Sequence, residues 1–414
     1  MTMSEMIDRY AEIIGEAAMD SLVNIAARLK GRKIVHVNST RAGGGVAEIL
    51  SSMVPLSKEL GLNVSWEVIE GDESFFNCTK MLHNTLQGTP GTLTERQMEI
   101  YAETNARNAE RLKDILQDAD YVFIHDPQPA ALIKSFPKRK GKWVWRCHID
   151  VSSPNKGVWQ FIKKQVSGYD ASIFSLPDFA QKLPHPQFLI TPSIDPLAEK
   201  NIPLERSEVE KTYKDLGVPM DKPIILQVSR FDKFKDPLGV IESYRIIKEH
   251  VDVRLVLAGG EADDDPEASV ILSEVRAAVD GDEDISVLLL PSDSHREINA
   301  LQTGADIVMQ KSLKEGFGLT VTEAMWKRKA VIGGNVGGIR LQVINRFNGF
   351  RVRTPEGAAI RTRYLLSHPW KMEKMGRNAR EYVLENFLIT GHLRRYMTLL
   401  ISLEAQGGTW ERWL

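Results

Sequence analysis

Glu315 and Glu323 are joined by Gly-Phe-Gly-Leu-Thr-Val-Thr, a run that combines two acids with a glycine-rich turn. The apolar run Ala305–Gln310 reads as a short buried strand, and Thr322–Lys329 continues as helix. A tight turn from strand into helix leaves backbone N–H groups unpaired at the positive end of a helix dipole. That geometry suits a phosphate or another anion. Gly316 and Gly318 let a ligand approach the backbone with no Cβ in the way. Two carboxylates beside an anion site are reconciled by one ligand type, a sugar nucleotide, whose hydroxyls need acceptors and whose diphosphate needs donors. A local alternative exists for both acids. Thr320-Val-Thr-Glu323 has capping-box spacing, and Glu315 could be an exposed loop acid.

Val228-Ser-Arg230-Phe-Asp-Lys-Phe-Lys235-Asp-Pro237 is the second chemical segment. It follows an apolar run, so Arg230 and Lys235 emerge at a strand end. An Arg offers phosphate a planar fork and a Lys adds a point charge. Asn38-Ser-Thr-Arg-Ala-Gly43-Gly44-Gly45 links the first apolar run to an amphipathic helix beginning near Val46, a further candidate anion site. It lacks the G-x-G-x-x-G spacing of a dinucleotide loop. His148 ends Trp143-Val-Trp-Arg-Cys-His-Ile149, and Asp126 ends the run before it, ahead of Pro127. Asp126 is a candidate acceptor for sugar hydroxyls or a simple turn former. No His/Asp cluster has metal-ligand spacing.

These groups must be positioned by alternating strands and helices. Apolar, β-branched runs occur at 33–38, 63–69, 121–126, 143–149, 171–176 and 187–191. A second series covers 224–229, 253–258, 285–290, 306–310 and 330–333. Val46, Ile49, Leu50, Met53 and Val54 share one helix face. Continuous apolar strands alternating with such helices predict parallel sheets covered on both sides. Two series predict an α/β chain of two doubly wound, Rossmann-like domains facing a central cleft. The expected boundaries are 1–215 and 216–387, with Pro196–Asp221 as linker and 388–414 packing back on the first domain. Ligands on such sheets bind beyond the carboxyl ends of the strands, where nearly every residue named above falls.

Composition sets the outer limits. The chain has 414 residues, room for two or three domains. Its 53 basic and 55 acidic residues leave a net charge of −2, which recommends no nucleic-acid surface. Cys78 and Cys147 are the only cysteines, too few for a disulfide framework. The N-terminus lacks the apolar core of a signal peptide, and the apolar runs are strand-length. The expectation is a cytoplasmic protein with no membrane span and small-molecule partners. A homodimer is compatible with the sequence but not indicated by it.

The Glu315–Glu323 segment resembles the E-x7-E signature of retaining family 4 glycosyltransferases of the GT-B fold, and V-S-R-x5-K-D-P is similar to their diphosphate-binding segment. His36-Val-Asn-Ser-Thr, Ile124-His-Asp-Pro-Gln-Pro129, Trp145-Arg-Cys-His-Ile-Asp150 and Gln310-Lys-Ser-Leu-Lys-Glu-Gly-Phe-Gly318 resemble the trehalose glycosyltransferring synthases within that group. The resemblance covers nearly the whole chain. It implies transfer of glucose from a nucleoside-diphosphate-glucose to free glucose, with no cofactor and no required metal. It further implies catalytic roles for Arg230, Lys235, Glu315 and His148. Gly44, Gly45, Arg230, Lys235, Glu315, Gly316, Phe317, Gly318, Leu319, Thr320 and Glu323 would bind the nucleotide sugar. Asn38, Asp126 and His148 would face the acceptor. Glu323 would accept both ribose hydroxyls, and Glu315 would lie near the hexose. Gly333-Gly-Asn-Val-Gly-Gly338 resembles another glycine-rich turn of the family, but Gln342 stands where an acid is common, so this loop is left outside the core site. The competing readings are a retaining trehalose phosphorylase, a transferase with another acceptor, and a non-catalytic sugar- or nucleotide-binding regulator. A glycoside hydrolase would also use two carboxylates, but gives no role to Arg230 and Lys235.

Overall fold

In a computed structural model, which describes residues 5–42, 44–260 and 266–406, the chain forms two compact units. The first comprises 1–192 with 389–414, and the second 193–388. Gly43 and the tail 407–414 lie outside the described residues.

The first unit carries one parallel sheet of six strands: β1 Lys33–Asn38, β2 Asn63–Val68, β3 Tyr121–His125, β4 Lys142–Arg146, β5 Ala171–Phe174 and β6 Gln187–Leu189. Their order is β2-β1-β3-β4-β5-β6. The second sheet has β7 Ile224–Val228, β8 Arg254–Gly260, β9 Ile285–Leu290, β10 Ile307–Gln310, β11 Ala330–Gly334 and β12 Gly349–Val352. Its order is β12-β11-β10-β7-β8-β9, with every printed pairing parallel. Central strands such as β3 and β7 are buried at every residue, which is why they read as unbroken apolar runs rather than alternating ones.

Each sheet has one place where strand order reverses, between β1 and β3 in the first and between β7 and β10 in the second. The loops leaving two such strands diverge to opposite faces and open a crevice at their carboxyl ends. Asn38, Asp126 and the Arg230–Lys235 and Glu315–Gly318 loops all leave these four strands. The sequence therefore places its chemistry where the topology opens a crevice in each unit.

Two expectations need correction. The boundary falls at 192, not 215, and Pro196–Asp221 is no linker. It contains the helix Arg206–Asp215, whose Val209 and Tyr213 are buried. Tyr213 Oη donates to Leu301 O at 2.7 Å, and Asn299 Nδ2 donates to Glu199 O and Ile202 O at 2.8 Å. A run that looks like charged linker thus holds a helix that buries one side, through Val209 and Tyr213, in the second unit. The strand β12 also escaped sequence reading. It is four residues long with Arg351 exposed, and Gly349 is required because a Cβ there would lie 2.4 Å from Val331 O.

The segment after 388 forms the helix Ile389–Gln406, which packs on the helices Glu16–Ala27 and Gly45–Glu59 of the first unit. Tyr396 on this helix packs at a tilt against Phe123 of β3, ring centroids 4.9 Å apart. Among the described residues, no helix is long and apolar enough to cross a membrane.

Candidate active site

In the second unit, the strand β10 delivers Lys311, Ser312 and Glu315, and the helix Leu319–Trp326 follows immediately. Gly318 is the N-cap with φ +86°, a conformation that favours glycine, and no side chain caps this helix. The capping-box alternative therefore fails, because Glu323 sits on the second turn and does not reach back to Thr320. Glu323 is 1 % exposed, and neither carboxylate oxygen has a hydrogen-bond partner among the described residues. The ammonium of Lys200 lies 3.8 Å from Oε1. A buried carboxylate without donors is costly. A ligand that brings two hydroxyls would remove that cost.

Glu315 is not an exposed loop acid either. It is 8 % exposed and accepts from Lys235 Nζ at 2.7 Å and from Ser312 Oγ at 3.3 Å. The two motifs recognised separately in the sequence are thus joined by one ion pair. A lysine ammonium has three donors, so Lys235 keeps two for ligand oxygens. Arg230, in contrast, is 60 % exposed and pairs with Asp232 at 3.2 Å.

The Lys235 loop is fixed by residues that sequence reasoning missed. Gln227 Nε2 donates to Lys235 O at 2.8 Å, and Leu313 N donates to Phe234 O at 2.8 Å. Asp236, with φ +55°, caps the helix Pro237–Lys248 through Gly239 N and pairs with the buried Lys311. The Gly333–Gly338 loop, set aside on sequence grounds, is a brace. A Cβ on Gly337 would lie 1.6 Å from Glu315 O, one on Gly338 would lie 2.4 Å from Phe317 Cα, and Gly338 N donates to Gly316 O. Gln342, fully buried, donates from Nε2 to Phe317 O at 2.6 Å and accepts from Thr322 Oγ1 at 2.6 Å. An ionised acid there could not donate to a carbonyl, so the glutamine is suited to its place. Phe317 itself is buried edge-on against Phe387, and Thr320 O accepts from Gln302 Nε2 at 3.1 Å.

In the first unit, Asn38 is 3 % exposed and already engaged. Its Oδ1 accepts from Trp66 Nε1 at 2.8 Å, and its Nδ2 donates to Thr40 O at 2.7 Å. The structure thus makes it a loop organiser. Gly44 (φ +80°) is the N-cap of the helix that opens at Gly45. Asp126 combines the two roles weighed from sequence. It turns the chain with φ +65°, and its Oδ1 accepts from His148 N at 2.7 Å. Burial pushes its carboxyl up to about 6, against the pull of that N–H and of Arg146. His148 Nε2 meets His125 Nδ1 at 2.9 Å, and His125 Nε2 meets His36 Nδ1 at 3.0 Å. His36 and His125 fall within stretches that carry the resemblance, but the sequence assigns neither a role, since a histidine inside an apolar run signals nothing by itself. The structure thus brings Glu315, Lys235 and the glycine turn together in one unit, and Asp126 and His148 together in the other.

Similarity to known proteins follows the same division. A family described as trehalose synthase, N-terminal domain, matches residues 36–181, and glycosyl transferases group 1 matches residues 208–382. A trehalose synthase of Pyrococcus horikoshii is 47 % identical over 402 residues, covering 96 % of this chain and 96 % of that protein. One of Thermococcus litoralis is 46 % identical over 401 residues, covering 96 % and 97 %. Among solved structures, a UDP-forming α,α-trehalose-phosphate synthase from Burkholderia xenovorans, in complex with glucose-6-phosphate, superposes with a TM-score of 0.73 at 14 % identity, covering 89 % of this chain and 99 % of that one. At that identity the likeness speaks for the fold alone.

Proposed function

The chain belongs to the trehalose synthase family of glycosyltransferases, of GT-B fold, and we propose that it makes trehalose from a nucleoside-diphosphate-glucose and free glucose with retention at the donor carbon. The observation that carries the reading is the buried carboxylate of Glu323, whose two oxygens accept no hydrogen bond among the described residues. A ribose offers two adjacent hydroxyl donors to two adjacent acceptor oxygens, and charge-assisted hydrogen bonds of this kind are the strong ones. Lys235 and Arg230 would meet the diphosphate, and the amides of the Gly316–Thr320 turn would add donors at the helix start. Glu315, held by Lys235 and Ser312, would present its remaining oxygen to the hexose.

In the proposed reaction the anomeric hydroxyl of the acceptor glucose attacks the donor C1 from the face that the nucleotide leaves. The C1–O bond to phosphate breaks, the new C1–O bond forms, and the departing phosphate oxygen takes the hydroxyl proton. No carboxylate need act as nucleophile. Positioning and stabilisation of the diphosphate charge by Arg230 and Lys235 supply the acceleration. His148 and Asp126 would orient sugar hydroxyls, His148 from the nitrogen that His125 leaves over.

The test is product analysis after incubation with glucose and ADP-, UDP- or GDP-glucose, beside a tube of trehalose and phosphate without nucleotide. A non-reducing disaccharide with release of nucleoside diphosphate is the expected result. Glucose 1-phosphate formed only in the phosphate tube would replace the reading with a phosphorylase. Absence of product in every tube would overturn the choice of acceptor.

A further inference from the structure

Three imidazoles from three neighbouring strands form an unbroken chain inside the first unit. His36 lies on β1, His125 ends β3, and His148 follows β4. The junctions are His36 Nδ1 to His125 Nε2 at 3.0 Å and His125 Nδ1 to His148 Nε2 at 2.9 Å. His36 and His125 are 3 % and 2 % exposed, whereas His148 keeps an open edge. His36 is also clamped by shape, stacked on Phe123 with centroids 4.8 Å apart and planes 7° from parallel.

A neutral imidazole has one donor nitrogen and one acceptor nitrogen. Each junction holds one proton, so the tautomer of any ring dictates those of the other two. If His148 donates from Nε2, then His125 donates to His36. If His36 donates, His148 must accept at Nε2 and carry its proton on Nδ1, the nitrogen left for a ligand. In either state His148 can present only one face, donor or acceptor, and cannot switch alone.

Charging the chain is opposed from all sides. Arg146 on β4 is completely buried, and its Nε and Nη1 have no hydrogen-bond partner among the described residues. His392 and Tyr396 of the helix Ile389–Gln406 close the other side, with Arg395 beyond them. Cys147 is buried beside Asp126, and Asp150 acts on it as a second acid. Burial brings His36 down to about 3 and, with Arg146, holds His125 and His148 well below the ordinary histidine range.

We propose that His36 and His125 are positioning residues that lock His148 into a single neutral tautomer and orientation for its sugar hydroxyl. The inference rests on the proposed sugar-facing role of His148. It goes beyond that role by assigning two residues that touch no substrate.

The experiment uses the full chain with 15N-labelled histidine, nine imidazoles in all, and long-range 15N–1H spectra between pH 5 and 8. His148→Ala assigns its signals. His36→Phe keeps the stack on Phe123 but removes Nδ1, and His125→Gln supplies an amide in place of the ring. In the unsubstituted protein His148 should show one tautomer and no titration. His36→Phe should give a tautomer mixture or a titrating His148, with kcat for glycosyl transfer down about tenfold for one lost hydrogen bond. His125→Gln should restore part of the single-tautomer signature that His125→Phe abolishes. A His148 that titrates in the unsubstituted protein, or spectra of His148 unchanged in both Phe variants, would overturn the proposal. The spectra need no substrate, so coupling without transferase activity would sink the functional reading and leave the chain standing. Activity with uncoupled spectra would do the reverse.

Discussion

Replacing Glu323 by methionine should make the protein more stable and its nucleotide-sugar binding much weaker. The side chain is 1 % exposed, neither oxygen is hydrogen-bonded among the described residues, and the ammonium of Lys200 stands off at 3.8 Å. An unsatisfied buried charged group costs about 1–3 kcal/mol or more, and an apolar residue of similar length removes that cost. Lys200 is 20 % exposed and can turn to water, so losing its partner subtracts little. The net gain expected is about 1–2 kcal/mol, a rise in Tm of roughly 2–8 °C for units of this size. Binding moves the other way. Two hydroxyl bonds to a carboxylate are worth about 1.5–3 kcal/mol each, so loss of both predicts a Kd weakened by at least about a hundredfold. Urea titration followed by tryptophan fluorescence reads the first effect, and calorimetry with a nucleoside-diphosphate-glucose reads the second. A destabilised Glu323→Met protein that binds donor normally would show the acid to be structural and refute the reasoning.

Arg230→Ala should lower kcat far more than it weakens donor binding, since an exposed side chain, paired among the described residues with Asp232, contributes most once leaving-group charge develops; steady-state kinetics showing only a raised KM would contradict this. Gln342→Glu should destabilise the Phe317–Gly318 turn, because the buried amide that donates to Phe317 O becomes an acceptor. Its folded carboxyl would be raised above the unfolded value, so the loss should be small near pH 4 and grow to about 3 kcal/mol or more by pH 7; a pH-independent denaturation midpoint shift would count against it. Asp126 is raised to about 6 in the folded chain, so its stability contribution is full below its unfolded value near 4 and is lost as pH rises through 6. Asp126→Asn, which tolerates the positive φ and keeps an acceptor for His148 N, should therefore gain on the parent protein by about 2–3 kcal/mol between pH 4 and 7; parallel stability curves would refute the burial argument.

The fold was legible because central parallel strands are buried on both faces and so leave unbroken apolar runs, as β3, β7 and β10 do. β12 was not, since Gly349 and Arg351 interrupt its pattern where the backbone of β11 comes close. Of the candidate site, the groups fit for ligand contact were legible by type: acids, an arginine, a lysine and glycines at strand ends. Their supports were not. Asn38 shows the limit in one direction, a polar residue at a strand end that serves Trp66 and Thr40. Gln342 shows it in the other, a residue whose departure from the common acid left its loop outside the core site and which donates to two carbonyls of the Glu315–Gly318 turn.

Lys235 and Glu315 explain why such supports escape a linear reading. Each was identified from its own motif, with a phosphate role for one and a sugar role for the other. In the folded unit they neutralise one another across 80 residues of sequence. Neither then meets a ligand as a lone charge. The lysine keeps two donors and the carboxylate one oxygen, oriented by a bond that forms before any ligand arrives. Pre-orientation lowers the entropy to be lost on binding, while the existing pair weakens the lysine's net pull on a diphosphate. The contribution shifts from ground-state affinity toward the transition state, where the growing charge on the leaving phosphate competes better for the ammonium. His125 stands to His148 as Glu315 stands to Lys235, a partner supplied by a neighbouring strand end at the switch point. In both units the topology that opens the crevice also supplies the second residue that aims the first.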